Sequence, residues 1–154
     1  MGPGDGDGRE RSRAQGGRGP GPALRLIGAG SPHRGLLAAG CLLAGLGVAA
    51  GAFGAHSLEG RLSADELAIF DTAARYHMLH ALGLILLGLA AARWPDAGWR
   101  RPGLLMLCGT AVFSGTLYVL ALSGMGWLGA ITPIGGVALI AAWIWAGWIA
   151  LART

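Results

Sequence analysis

The charged residues of this chain are confined so strictly that the gaps between them outline its architecture. Gly35 to Ala55 is a run of 21 residues with no Asp, Glu, Lys, Arg or His. Tyr76 to Ala92, between Arg75 and Arg93, adds 17 without an acid or an arginine. Pro102 to Ala152 is 51 residues without any acid, arginine, lysine or histidine. A helix rising about 1.5 Å per residue needs about 20 residues to cross ~30 Å of hydrocarbon. The first two blocks each supply one crossing, and the third supplies two. The third divides at Ser123-Gly124-Met125-Gly126, the glycine-serine cluster near its middle. The pattern predicts an all-α fold, an integral membrane four-helix bundle with spans at about 35–55, 76–92, 103–122 and 132–151.

Between the first two spans the pattern changes from uniformly apolar to periodic. Ser63-Ala64-Asp65-Glu66 fits a capping box, with the Ser63 hydroxyl and the Glu66 carboxylate each bonding the other's backbone N–H. Leu67, Phe70, Ala74 and His77 then share one helical stripe, while Asp71 and Arg75 pair at i, i+4 on another. This predicts a short amphipathic helix on the membrane surface that turns, or runs straight, into the second span. Thr132-Pro133 reads as an N-cap followed by proline at the first helical position of the fourth span. The alternative is a helix that begins near Trp127 and is kinked at Pro133.

Composition sharpens the class without changing it. Of 154 residues 53% are hydrophobic and 13% charged, about half the charge of an average soluble domain. Two cysteines exclude a disulfide framework and a four-cysteine metal knuckle. The net charge of +4 would raise nucleic acid as a partner, but residues 1–34 hold six of the 12 arginines and net +3. The basicity belongs to an Arg/Gly-rich tail, read as disordered and cytoplasmic, and the partner implied is the lipid bilayer. Arginine counts on alternate loops give the orientation. An inside N-terminus collects ten arginines inside and leaves Arg61 and Arg75 outside. The expectation is a multi-pass bacterial inner-membrane protein, N-in and C-in, with the amphipathic helix periplasmic and Trp94 and Trp99 in the inner interfacial belt.

Under that orientation the polar residues of four spans converge on the outer half. His56 ends the first span; Tyr76, His77 and His80 open the second; Ser114, Thr116 and Tyr118 lie in the third; Thr132 opens the fourth. Polar groups inside a membrane are functional candidates by default. Three imidazoles, His56, His77 and His80, are enough in number for zinc or, as a pair, haem. Hydrogen bonding between helices is the competing role. Small residues supply packing surfaces: Gly47, Gly51 and Gly54 in the first span, Gly115 in the third, Gly135 and Gly136 in the fourth. These stripes pack within one subunit or between copies of a homo-oligomer. No Asp or Glu lies inside a span, which argues against carboxylate-based proton coupling. No nucleophile elbow or phosphate-cradling loop occurs. No catalytic residue, cofactor or resident metal is assigned.

Four strings occur in order: Gly51-Ala52-Phe53-Gly54-Ala55-His56, Tyr76-His77-x-x-His80-Ala81-Leu82, Phe113-Ser114-Gly115-Thr116-Leu117-Tyr118 and Thr132-Pro133-Ile134-Gly135-Gly136. Together they resemble the YgdD/YwdK-type family of small four-helix bacterial membrane proteins, classed as a domain of unknown function. The resemblance covers about residues 35–151 and places His56, Tyr76, His80, Ser114, Tyr118, Thr132 and Pro133 at signature positions. It implies a four-helix inner-membrane protein with no established activity. The functional expectation is a non-enzymatic structural or accessory component. The alternatives are a small-molecule carrier or channel, and a haem-, quinone- or metal-binding membrane component using His56, His77 and His80.

Overall fold

The computed structural model describes residues 32–152. They form four α-helices and no strand: α1 (Pro32–Phe53), α2 (Ala64–Arg93), α3 (Arg100–Ser123) and α4 (Leu128–Leu151). All four are long and apolar enough to cross a membrane. The Arg/Gly-rich tail falls outside the described residues, apart from its last three positions. These are helical, because α1 starts at Pro32. Proline suits a first helical position, where its missing N–H has no partner to lose.

Each link has a local cause. α1 does not end at Phe53 but widens into a π-helical stretch, Gly54–Leu58. Gly54 makes room there, since a Cβ on it would lie 3.0 Å from the Phe70 ring of α2. Gly60, at φ +77°, then turns the chain. α2 opens with the capping box: Glu66 N–H donates to the Ser63 hydroxyl at 3.3 Å, and Ser63 N–H donates to the Glu66 carboxylate at 2.8 Å. The amphipathic segment is no separate element. It runs unbroken into the second span as one helix of 30 residues, about 45 Å long. No proline interrupts 64–93, and the buried stripe of Phe70, Ala74 and His77 continues through Ala81, Leu84 and Leu87.

A single 3-10 turn, Pro95–Ala97, leads to α3. Trp99, placed by sequence in the interfacial belt, is only 6% exposed and belongs to the main apolar core with Leu36, Leu84 and Met106. Trp94 is the exposed member of the pair, with the Arg93 guanidinium 5.3 Å above its ring. Gly124, at φ +69°, closes α3 by donating its N–H to the Leu120 carbonyl at 2.9 Å.

α4 corrects the capping reading of Thr132-Pro133. The helix begins at Leu128 and Pro133 lies inside it, as in the alternative. The Thr132 hydroxyl does not cap; it is buried and contacts the Leu128 carbonyl at 3.1 Å. Proline removes the N–H that would bond the Gly129 carbonyl, a loss that helices in membranes tolerate.

Packing is serial. α1 lies along α2, α2 along α3 and α3 along α4; α1 touches α3 lightly, and α1 and α4 share no comparable contact. α2 and α3 are therefore the inner pair of the bundle. Glycines set the close approaches. A Cβ at Gly40 would lie 2.9 Å from the Ala81 carbonyl oxygen, and one at Gly135 2.5 Å from the Phe113 backbone nitrogen. Large aliphatic side chains such as Leu42 and Leu46 of α1, and Val137, Ile140 and Ile144 of α4, point outward, as a lipid-facing surface requires.

Candidate functional site

The polar side chains of α2, α3 and α4 gather toward the end of the bundle that carries the α1–α2 and α3–α4 links. Three groupings follow from helical spacing. His77, on the stripe that faces α3, brings Nδ1 to 3.2 Å from the Tyr118 hydroxyl, and the rings meet edge to face at 6.0 Å. Phe70 covers Tyr118 at 4.9 Å between centroids. One helical turn separates Tyr76 from His80, whose Nδ1 lies 2.7 Å from the Tyr76 carbonyl. A carbonyl only accepts, so His80 carries its proton on Nδ1. The Tyr76 ring stacks on His80 at 5.9 Å and meets Phe113 at 4.8 Å, and Trp143 of α4 closes on His80 from the other side at 6.3 Å.

The third grouping joins α3 to α4. Thr116 Oγ1 lies 2.9 Å from Thr132 Oγ1, 2.7 Å from the Val112 carbonyl and 3.1 Å from the Phe113 carbonyl. Thr132 in turn contacts Leu128 O. Two hydroxyl protons must serve the bridge and the carbonyls, so when one threonine donates to the other it gives up its own backbone acceptor.

Beside His77, between α1 and α3, lies a crevice of about 170 Å³ lined by Leu43, His77, Leu107, Thr110, Ala111, Ser114, Gly115 and Tyr118. Among the lining residues, Ser114 Oγ is buried without a hydrogen-bond partner, and the His77 imidazole is turned toward the Leu43 backbone. Thr110, four residues before Ser114 on the same helix face, donates to the Met106 carbonyl at 2.8 Å. A larger groove of about 570 Å³ lies between the π-turn and the first turns of α2, with Gly51, Ala55, Glu59, Leu67 and Asp71 among its walls. Asp71 is already paired with Arg75 at 2.8 Å.

His56 stands apart from the other two histidines. It is exposed on the π-turn, and among the described residues no three of His, Cys, Asp and Glu could hold a metal ion. The His56–His77–His80 constellation is therefore not assembled: His77 and His80 are committed to Tyr118 and to Tyr76. The glycines divide likewise. A Cβ at Gly47 would meet Met78 at 3.1 Å, and one at Gly136 the Phe113 ring at 3.6 Å, whereas Gly51 and Gly115 have nothing within 4 Å. Sequence reasoning passed over Thr110, Ala111, Leu107 and Leu43. The i, i+4 spacing of Thr110 and Ser114 was the available signal; Leu43 belongs to the wall through tertiary packing alone.

Comparison with known proteins adds the following. The family model described as "Protein of unknown function (DUF423)" matches residues 50–136, a stretch containing every polar residue of the three groupings. The chain is 45% identical over 106 residues to the UPF0382 membrane protein YwdK of Bacillus subtilis, covering 68% of this chain and 86% of that one. It is 44% identical over 111 residues to UPF0382 membrane protein SH2409 of Staphylococcus haemolyticus, covering 68% and 85%. A Staphylococcus epidermidis relative, UPF0382 membrane protein SERP0230, is 46% identical over 111 residues with the same coverage, 68% and 85%. No solved structure matches.

Proposed function

The chain belongs to the DUF423 family of unknown function, and from that premise we propose that it is a non-enzymatic structural or accessory component of a bacterial cytoplasmic membrane. One observation carries this reading: the polar side chains within the spans are spent mainly on one another and on backbone carbonyls. Tyr118 is spent on His77, His80 on the Tyr76 carbonyl, and Thr116 on Thr132. Such contacts fix helix register in lipid, where an unpaired polar group is costly. The arginine asymmetry supports an N-in, C-in orientation. The links at Gly60 and Gly124 then face outward, and the first turns of α2 stand clear of the hydrocarbon. That fits a helix of about 45 Å in a core of ~30 Å.

The test is reconstitution into liposomes loaded with a sugar, an amino acid or an alkali cation. The expected result is efflux no faster than from protein-free liposomes. Protein-dependent efflux of any of the three would replace the accessory reading with a carrier or channel.

A further inference from the structure

We propose that the groove between the π-turn and the first turns of α2 is a binding site for the headgroup of an ethanolamine phospholipid. The inference is independent of the accessory reading and starts from what lines the groove. Its volume of about 570 Å³ falls within the ~300–1,000 Å³ typical of small-molecule sites. Its walls are small or apolar, with Gly51 and Ala55 on one side and Ala64 and Ala68 on the other, apart from Glu59 and Asp71. Both exceptions are carboxylates, and no basic residue lines the groove. Both are accessible: Glu59 is exposed, and so is 65% of the Asp71 side chain.

An ionised carboxylate only accepts hydrogen bonds, so the ligand must bring donors and positive charge. Glu59 has no ion pair or side-chain hydrogen bond among the described residues. Arg61, two residues on, is exposed and does not line the groove. Asp71 holds Arg75 through Oδ2 at 2.8 Å. That leaves its Oδ1 for a second donor, and leaves the guanidinium with further N–H groups for an anion. The site thus presents acceptors for an ammonium and, beside them, a guanidinium for a phosphate. A primary ammonium offers three N–H donors; a trimethylammonium offers none. Phosphoethanolamine carries a primary ammonium and a phosphate on one short link, and so matches both halves.

Depth selects a lipid as the source of that chemistry. Counted back from Arg93, where α2 ends, about 20 residues cross the hydrocarbon and reach the level of Ala74. The stretch from Ala64 to Ala74, about 15 Å long, then stands at headgroup depth. Ala64, Leu67, Ala68, Asp71 and Ala74 form one helical stripe along it, and all five line the groove. The deep end, at Gly51 and Ala74, is apolar and suits the first methylenes of the chains; Gly51 has nothing within 4 Å of where a Cβ would stand. The facing wall is widened by the π-turn, a geometry that recurs at functional sites. Gly51 and Ala55 belong to the first of the four strings of the family resemblance, to which the hydrogen bonds between helices give no role.

The experiment titrates the full-length protein in detergent with dioleoyl phosphatidylethanolamine, phosphatidylcholine or phosphatidylglycerol and counts bound lipid by native mass spectrometry. The ethanolamine lipid is expected to bind at least about fivefold more tightly than either of the others, as charge-assisted N–H bonds to carboxylates require. Glu59→Gln keeps the shape and removes the charge, and should cut that preference about three- to tenfold. Ala68→Leu, at an exposed position on the groove wall, should weaken ethanolamine-lipid binding while the thermal midpoint stays within the wild-type range. Dodecylamine, an ammonium without a phosphate, should displace the ethanolamine lipid poorly. Equal binding of the ethanolamine and choline lipids, stronger binding of the glycerol lipid, or an unchanged preference in folded Glu59→Gln or Ala68→Leu would overturn the site. Displacement by dodecylamine as effective as by the lipid itself would overturn the headgroup assignment.

Discussion

The Tyr118 hydroxyl shows how one atom sets the state of several. It reaches from α3 to His77 of α2 under the cover of Phe70, and its bond to Nδ1 ties the imidazole tautomer to the phenolic proton. Tyr118→Phe keeps the ring packing and leaves His77 Nδ1 buried without a partner. Hydrogen bonds between membrane helices average about 0.6 kcal/mol and reach about 1.7, while an orphaned buried group costs about 1–3 kcal/mol. The substitution should therefore destabilise by about 1–2 kcal/mol. Thr132→Val should cost less, about 0.5 kcal/mol, because Thr116 keeps the Val112 carbonyl as an acceptor for its proton. Reversible unfolding in mixed micelles would rank the two; a larger loss for Thr132→Val would contradict the proton count. The sequence placed these residues at one depth, since depth follows from position along a span. It could not say which atoms meet, because neighbouring polar residues on a helix point about 100° apart and only the partner helix decides which is used. His56 illustrates this. Its place at the end of the first span suggested company for His77, and the π-turn leaves it exposed.

At the scale of helices, the charge-free runs were sufficient to count four. Burying an ion in hydrocarbon is too costly to be ambiguous. Their ends were less legible, for physical reasons. The entry to α2 carries charges and an excellent cap, so it reads as an independent helix, yet nothing in 64–93 interrupts hydrogen bonding. Thr132-Pro133 carries the chemistry of a helix start, but the same pair serves inside a membrane helix once Thr116 and the Leu128 carbonyl engage the hydroxyl. The π-turn had no local signature; it depends on Gly54 fitting beneath Phe70. Glycines give a test at this scale. Gly135→Ala would drive a Cβ to 2.5 Å from the Phe113 backbone nitrogen, and since neither backbone can yield alone, α3 and α4 must separate, at about 1–3 kcal/mol. Gly147, with nothing within 4 Å, should accept alanine with a gain of about 0.5–1 kcal/mol. Opposite shifts of the thermal midpoint are the expected pair of results.

For the molecule as a whole, the placement of arginines predicts a cytoplasmic C-terminus. Paired C-terminal fusions check it: a fluorescent reporter that folds only in the cytoplasm should light up, and a phosphatase active only outside should stay silent. The reverse pattern would invert the bundle and move the polar groupings to the inner leaflet. The serial packing has a consequence for how the protein is made. α2 and α4 each find their principal partner in the helix just before them, and α3 packs on both of its neighbours in the chain. At about 5–20 residues per second a ribosome delivers a 30-residue helix in about 2–6 seconds. α1, which exposes most of its surface to lipid, is retained by α2 as soon as that helix arrives. Membrane insertion and assembly can therefore proceed in chain order, the Gly40 surface of α1 being covered when α2 arrives and the Gly135 surface of α4 meeting α3 already in place.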